Sequence, residues 1–192
     1  VRVQGLRTRL TARMDEKIPW WGEGLTILDD EEMVSKPLIV RKARAVEKVL
    51  REMPISIGDG ELVVGTMRMH SVGSGQTYPE YATEKEKGEA AKIGLSPYSI
   101  FGHSPPNYSE LLSKGFRGIR KNIEERARTS QGEKEGSFFE AGLICCEAVV
   151  ELARRYSTLA SELADREANE PRREELREIA NISLRVPEHP AR

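Results

Sequence analysis

Apolar and polar positions recur with a helical period along much of this chain, and the strongest run lies at Ser137–Ala164. There Phe138, Cys145, Val149, Leu152, Tyr156, Leu159 and Leu163 follow steps of three, four and seven, which keeps them on one face of an α-helix. Ala141, Ile144 and Ala148 widen that face, and in the first half only Glu140, Glu147 and Glu151 mark a narrow wet side. A helix that apolar is predicted to run through the middle of a structure rather than over its surface. Ser137, with Glu140 three residues later, predicts a capping box at its start.

The same pattern places further helices around this spine. Residues 1–18 read as a basic, weakly amphipathic helix carrying Leu6, Leu10, Met14 and Ile18, ended by Pro19. Trp20 and Trp21, beside Gly22 and Gly24, either plug one element onto another or offer a platform to a ligand. Pro37 suits the first residue of a second helix, with Ser35 or Lys36 at the cap. Its stripe is Ile39, Ala43, Val46, Leu50 and Met53, and Arg41, Lys42, Arg44, Lys48 and Arg51 line a side read as solvated. Asn107 caps a third helix, whose stripe runs from Tyr108 through Leu111, Leu112, Phe116 and Ile119 to Ile123. Glycine inside a helix costs on the order of 1 kcal/mol against alanine, so Gly115 and Gly118 there imply close approach of another backbone. Asn169-Glu170-Pro171 restarts the chain into a short antiparallel partner of the spine, carrying Leu176, Ile179 and Ala180.

The expected fold is therefore mainly α, with helices near 2–18, 37–53, 107–128, 137–168 and 171–182 and a short charged helix within 83–92. One small β-hairpin is expected, pairing Ile55-Ser56-Ile57 with Leu62-Val63-Val64 across a glycine-rich turn. No Lys-Ser/Thr follows those glycines, so they are not a phosphate loop. Between Gly65 and Gly102 the periodicity is lost, and a loop of that length is usually functional or covers a neighbour.

Charge and cysteine content narrow the classes. The chain has 30 basic and 31 acidic residues, a balance that does not suit nucleic acid or an anionic membrane. No apolar run approaches the roughly 20 residues that span a bilayer, and VRVQGLRTRL lacks the apolar core of a signal peptide. A cytoplasmic protein is expected. Cys145 and Cys146 are adjacent and point about 100° apart on a helix, which suits buried free thiols rather than a bridge or a metal site.

Several strings, in order, resemble a known family. PLIVRKARAVEKVLREMPISIGDGELVVGT at 37–66, PEY at 79–81, GHSPPNYSELLSKGFRGI at 102–119, CCEAVVELARRYSTLASELA at 145–164, RREELREIA at 172–180 and VPEHPAR at 186–192 carry it. Together they resemble the N-terminal part of glycyl radical enzymes, the pyruvate formate-lyase-like superfamily, in its dehydratase and decarboxylase branch. The resemblance implies that residues 1–192 are the N-terminal helical part of an α/β barrel enzyme whose barrel core and C-terminal glycine radical domain lie outside them. In the family a glycyl radical, installed by an activating enzyme that uses S-adenosylmethionine and an iron–sulfur cluster, generates a cysteine thiyl. The thiyl abstracts hydrogen from substrate, and a C–C, C–O, C–N or C–S bond breaks. This chain itself is expected to bind no cofactor. Its implied partners are the remainder of the parent enzyme or a full-length homologue, the activating enzyme, and further copies in a homo-oligomer.

The family's radical residues have no counterpart here, so the chain alone is not expected to be catalytic. Cys145 and Cys146 lie in a helical stretch, not in the GC-x-E-type loop of the thiyl. Arg2-Val3-Gln4-Gly5 echoes the RV-x-G radical string, but at the wrong end and followed by Leu6, and is read as coincidence. One position carries over. His103 matches the histidine that reaches substrate hydroxyls in glycerol dehydratase-like members, and an imidazole can donate or accept a proton near neutral pH. The other reading is a loop histidine that merely bonds backbone. The stretch 79–102 is much shorter than in those members, and His70 and His189 match no family role. The alternative function is a stand-alone helical module docking on a full-length glycyl radical subunit. A fragment predicts a wide exposed apolar patch; a module predicts a covered one or a defined oligomer.

Overall fold

In the computed structural model the longest helix, α6 (Glu133–Arg166), is the element against which the others pack. The structure describes residues 2–12, 22, 24–65, 78–98 and 106–191. Along them run α1 (Arg2–Ala12), α2 (Glu31–Ser35), α3 (Leu38–Glu52), α4 (Glu84–Lys92), α5 (Tyr108–Ala127), α6, and α7 (Glu170–Arg185). The rest of the helix expected over 1–18, and the Trp20–Trp21 pair expected as a plug or ligand platform, lie outside the described residues.

Small residues set how α6 packs. Val40 and Ala43 of α3 meet Ala141 and Ile144 in its first half. Leu176, Ile179 and Ala180 of α7 meet Ala160 and Ala164 in its second half. Alanine at these crossings lets helix backbones come close, and the Ser157 hydroxyl donates to the Ala180 carbonyl at 2.8 Å. The face of α6 is rotated from the expected one: Phe139 is 8% exposed and Phe138 61%. The start differs as well. The helix begins at Glu133 with Gly132 at its cap, and the Ser137 hydroxyl donates to Glu133 O at 2.8 Å, so the expected capping box is not formed. Glu133 and Glu135 suit the positive end of a helix dipole and carry the helix one turn further back.

α3 is covered on two sides. Opposite α6, Ala45 packs with Tyr81 and Ala82 of the extended stretch before α4. That stretch is tied to residues 25–27 by an isolated parallel bridge, Thr26 to Glu80, with Ile27 N donating to Glu80 O at 2.9 Å and Glu80 N to Leu25 O at 2.8 Å. The C-terminal carbonyls of α3 are taken by Arg155 of α6, which donates to Leu50 O at 2.6 Å and Met53 O at 2.5 Å.

The expected β-hairpin is not found, and among the described residues there is no strand ladder. Gly58–Glu61 does turn, with Glu61 N donating to Gly58 O at 3.1 Å. The carbonyls of Gly58 and Glu61 bond to Arg172 of α7, at 3.1 and 2.8 Å. Ile57 and Val64 both lie against the α6–α7 core. The two apolar runs cover a helix pair instead of pairing with each other.

Candidate functional site

The candidate substrate residue, His103, lies outside the described residues. What the structure describes is how the chain on either side of it is held. On the upstream side the anchor is Arg41 of α3, only 3% exposed and so not on a solvated face as expected. Its guanidinium donates to Lys36 O at 3.0 Å and Tyr81 O at 2.8 Å, and pairs with Glu86 of α4. A planar fork spreads its donors over three separated acceptors, whereas the three donors of an ammonium radiate from a single nitrogen. Thr83 and Glu86 form a reciprocal capping box that starts α4. Burial alone would raise the Glu86 carboxyl, but bonds from Arg41 and Thr83 outweigh it and hold it below its ordinary value.

Tyr81 extends this anchor toward the approach to His103. Its ring meets Tyr98 edge-on with centroids 4.8 Å apart, and its hydroxyl donates to Pro97 O at 2.8 Å. Burial, with Tyr98 and Tyr78 nearby, pushes the Tyr81 hydroxyl up to about 12, so it stays a neutral donor. The Tyr98 hydroxyl is buried without a hydrogen-bond partner among the described residues.

The downstream anchor is α5. Asn107 caps it as expected, accepting from Glu110 N at 3.2 Å. The helix is broken at Gly115, whose φ of 62° and ψ of 175° only glycine adopts readily. The segment after α7 fills the break: Phe116 N donates to Pro187 O and Arg117 N to Glu188 O, each at 2.9 Å, and Ala191 N donates to Leu112 O at 3.0 Å. A Cβ at Gly115 would stand 2.6 Å from Glu188 O, so the close backbone approach expected there is found. At Gly118 a Cβ would meet only Lys114 of the same helix. His189 lies in the segment that fills the break, its amide donating to Arg185 O at 2.9 Å.

Both cysteines are free thiols held in or beside the packed core. Cys145 borders the α3–α6 core and Cys146 is buried. Burial, with Cys145 adding and Arg120 opposing, pushes the Cys146 thiol up to about 11. Burial first, then the charge of Glu47, raises Cys145 too. Gly5 sits inside helical α1. Among the described residues no set of three His, Cys, Asp or Glu converges as a metal site, and no helix is long and apolar enough to cross a membrane. Sequence reasoning missed Arg41 and Tyr98 as anchors. Arg41 stands among the basic residues beside the expected stripe, and nothing in its local sequence marks it as the buried one.

This helical layer is the fold of the N-terminal part of glycyl radical enzymes. It superposes on the B12-independent glycerol dehydratase of Clostridium butyricum with a TM-score of 0.68 and 23% identity, over 84% of this chain and 28% of that one. On a glycyl radical enzyme of Archaeoglobus fulgidus the TM-score is 0.60 with 27% identity, over 86% of this chain and 29% of that one. The chain belongs to the pyruvate formate lyase-like family, whose model matches residues 87–192. The isethionate sulfite-lyase of Bilophila wadsworthia (strain 3_1_6) is 31% identical over 84% of this chain and 28% of its own length. The chain thus spans less than a third of the length of that relative. The alignment to it is 229 positions long, more than the 192 residues present here, so the relative holds internal segments that this chain lacks.

Proposed function

We propose that this chain is the N-terminal helical part of a glycyl radical lyase or dehydratase acting on a small hydroxylated substrate. The observation that carries the reading is the family match over 87–192 together with the shared helical layer. In this reading residues 1–192 form one domain of the parent enzyme, and the barrel core and the glycine radical domain are supplied by the rest of it. A protein glycyl radical, set by an activating enzyme, would generate the cysteine thiyl whose hydrogen abstraction lets a C–O or C–S bond break. Relatives named isethionate sulfite-lyase and (2S)-3-sulfopropanediol dehydratase favour a small hydroxylated substrate.

This chain's own contribution is binding. His103 holds a substrate hydroxyl, and its imidazole accepts or returns a proton there. Arg41, Tyr81 and Tyr98 on one side and Asn107 on the other fix the ends of the segment that carries it. The internal segment that this chain lacks belongs, in this reading, to the shortened stretch 79–102, where a capping box starts α4.

The test is anaerobic expression of the reading frame that contains this chain, together with its activating enzyme. The expected result is a glycyl radical signal by electron paramagnetic resonance and turnover of a hydroxylated substrate. His103→Ala should then raise KM by about tenfold, the loss of roughly one good hydrogen bond to a polar group. A frame with neither GC-x-E nor RV-x-G, or no radical signal after activation, would overturn the proposal in favour of a helical docking module.

A further inference from the structure

Two of the strings that carry the family resemblance, GF-x-GI at 115–119 and VPEHPAR at 186–192, are far apart in sequence and in contact in space. In an unbroken helix Phe116 N would bond to Leu112 O and Arg117 N to Ser113 O. Here both amides are given to Pro187 and Glu188, and the freed Leu112 carbonyl is taken by Ala191. The exchange runs in both directions and uses backbone alone. Side chains secure the incoming segment elsewhere: Arg154 of α6 pairs with Glu188 at 3.1 Å, and Arg185 of α7 donates to Pro190 O at 3.4 Å.

We propose that residues 186–191 are a strap that holds α5 open at Gly115 and bolts its first half, 108–114, to the α6–α7 pair. Without the strap, the donors and acceptors on either side of Gly115 satisfy one another best by closing into a continuous helix. The first half of α5 would then swing into line with the second. The strap therefore sets the direction from which the chain carrying His103 enters α5. Only that last consequence rests on the function proposed above; the bolt itself does not.

Amide hydrogen exchange, followed by NMR on the full 192-residue chain, tests it. In the unaltered chain the Ala191 amide should exchange at least about fivefold slower than an open peptide, as one backbone hydrogen bond implies. Gly115→Ala should free that amide to the open-peptide rate while amides of 116 and 117 stay protected by a closed helix. Ala191→Pro removes the donor without touching α5 or the core. With the Leu112 carbonyl freed, the break should close: the 13Cα resonances of 114–116 should move toward helical values while the α6–α7 amides stay unchanged. An Ala191 amide that exchanges freely in the unaltered chain overturns the strap, and so do unchanged 13Cα resonances of 114–116 in Ala191→Pro. If Gly115→Ala loses its α6–α7 protection as well, Ala191→Pro alone decides. A missing radical signal with the expected exchange pattern would retire the radical reading and leave the strap standing.

Discussion

At the scale of single residues, Arg41 shows why burial must be read with its partners. A guanidinium that is 3% exposed is costly to bury unless every donor direction is used. Here it joins α3 to Tyr81 and Glu86, so its loss strands two carbonyls and a carboxylate. Arg41→Ala should lower the unfolding free energy by about 3 kcal/mol in urea titration. Arg41→Lys should recover less than half of that, because one ammonium cannot span three acceptors. The cysteines make a different prediction. Both thiols are raised by burial, so at pH 8 native protein should react with iodoacetamide at least about tenfold slower than urea-unfolded protein. Equal rates in the two states would show that α6 is not packed as described.

At the scale of elements, the attachment of α4 depends on pH through Glu86. Its folded carboxyl lies below the ordinary 4.5, so its pairing stabilises the fold above that value and is lost as pH falls through the lowered one. The urea midpoint should therefore drop on acidification below about pH 5, and less steeply in Glu86→Gln. The α6–α7 crossing depends on size. Ala160 is fully buried, and Ala160→Leu should cost about 2 kcal/mol by overpacking, read as a lower melting temperature. This crossing also explains what the hydropathy pattern could and could not reveal. Helix periodicity located α3, α5, α6 and α7 and marked α6 as central, because each has one apolar side. The rotation of α6 was hidden because its contact residues are alanines and serines, which weigh little beside Phe138 and Leu159. The hairpin was misread because alternating Ile and Val in a covering loop look like a strand until Arg172 is known to claim its carbonyls. For the candidate site, Asn107 and the close approach at Gly115 were legible from local chemistry. The Arg41 anchor was not, since two of its three acceptors, Tyr81 O and the Glu86 carboxylate, lie 40 and 45 residues further along the chain.

At the scale of the whole molecule, large apolar side chains remain in solvent. Phe138 is 61% exposed, Ile39 40%, Leu112 53% and Leu184 56%. In the proposed parent enzyme such surface is available to the rest of the protein. The chain by itself should then associate as its concentration rises in sedimentation velocity, and Phe138→Glu should weaken that association by about tenfold or less, in line with roughly 1.4 kcal/mol for losing one partly exposed phenyl contact.

The break in α5 carries a consequence for the order of events during synthesis. A nascent chain offers its earlier residues first, at about 5–20 residues per second. The amides of Phe116 and Arg117 meet their lasting partners only after Pro187 and Glu188 have left the ribosome, several seconds later on that scale. Until then the break in α5 lacks the backbone partners that hold it open. This layer is thus completed backwards, with late-made backbone supplying the partners of what was made early.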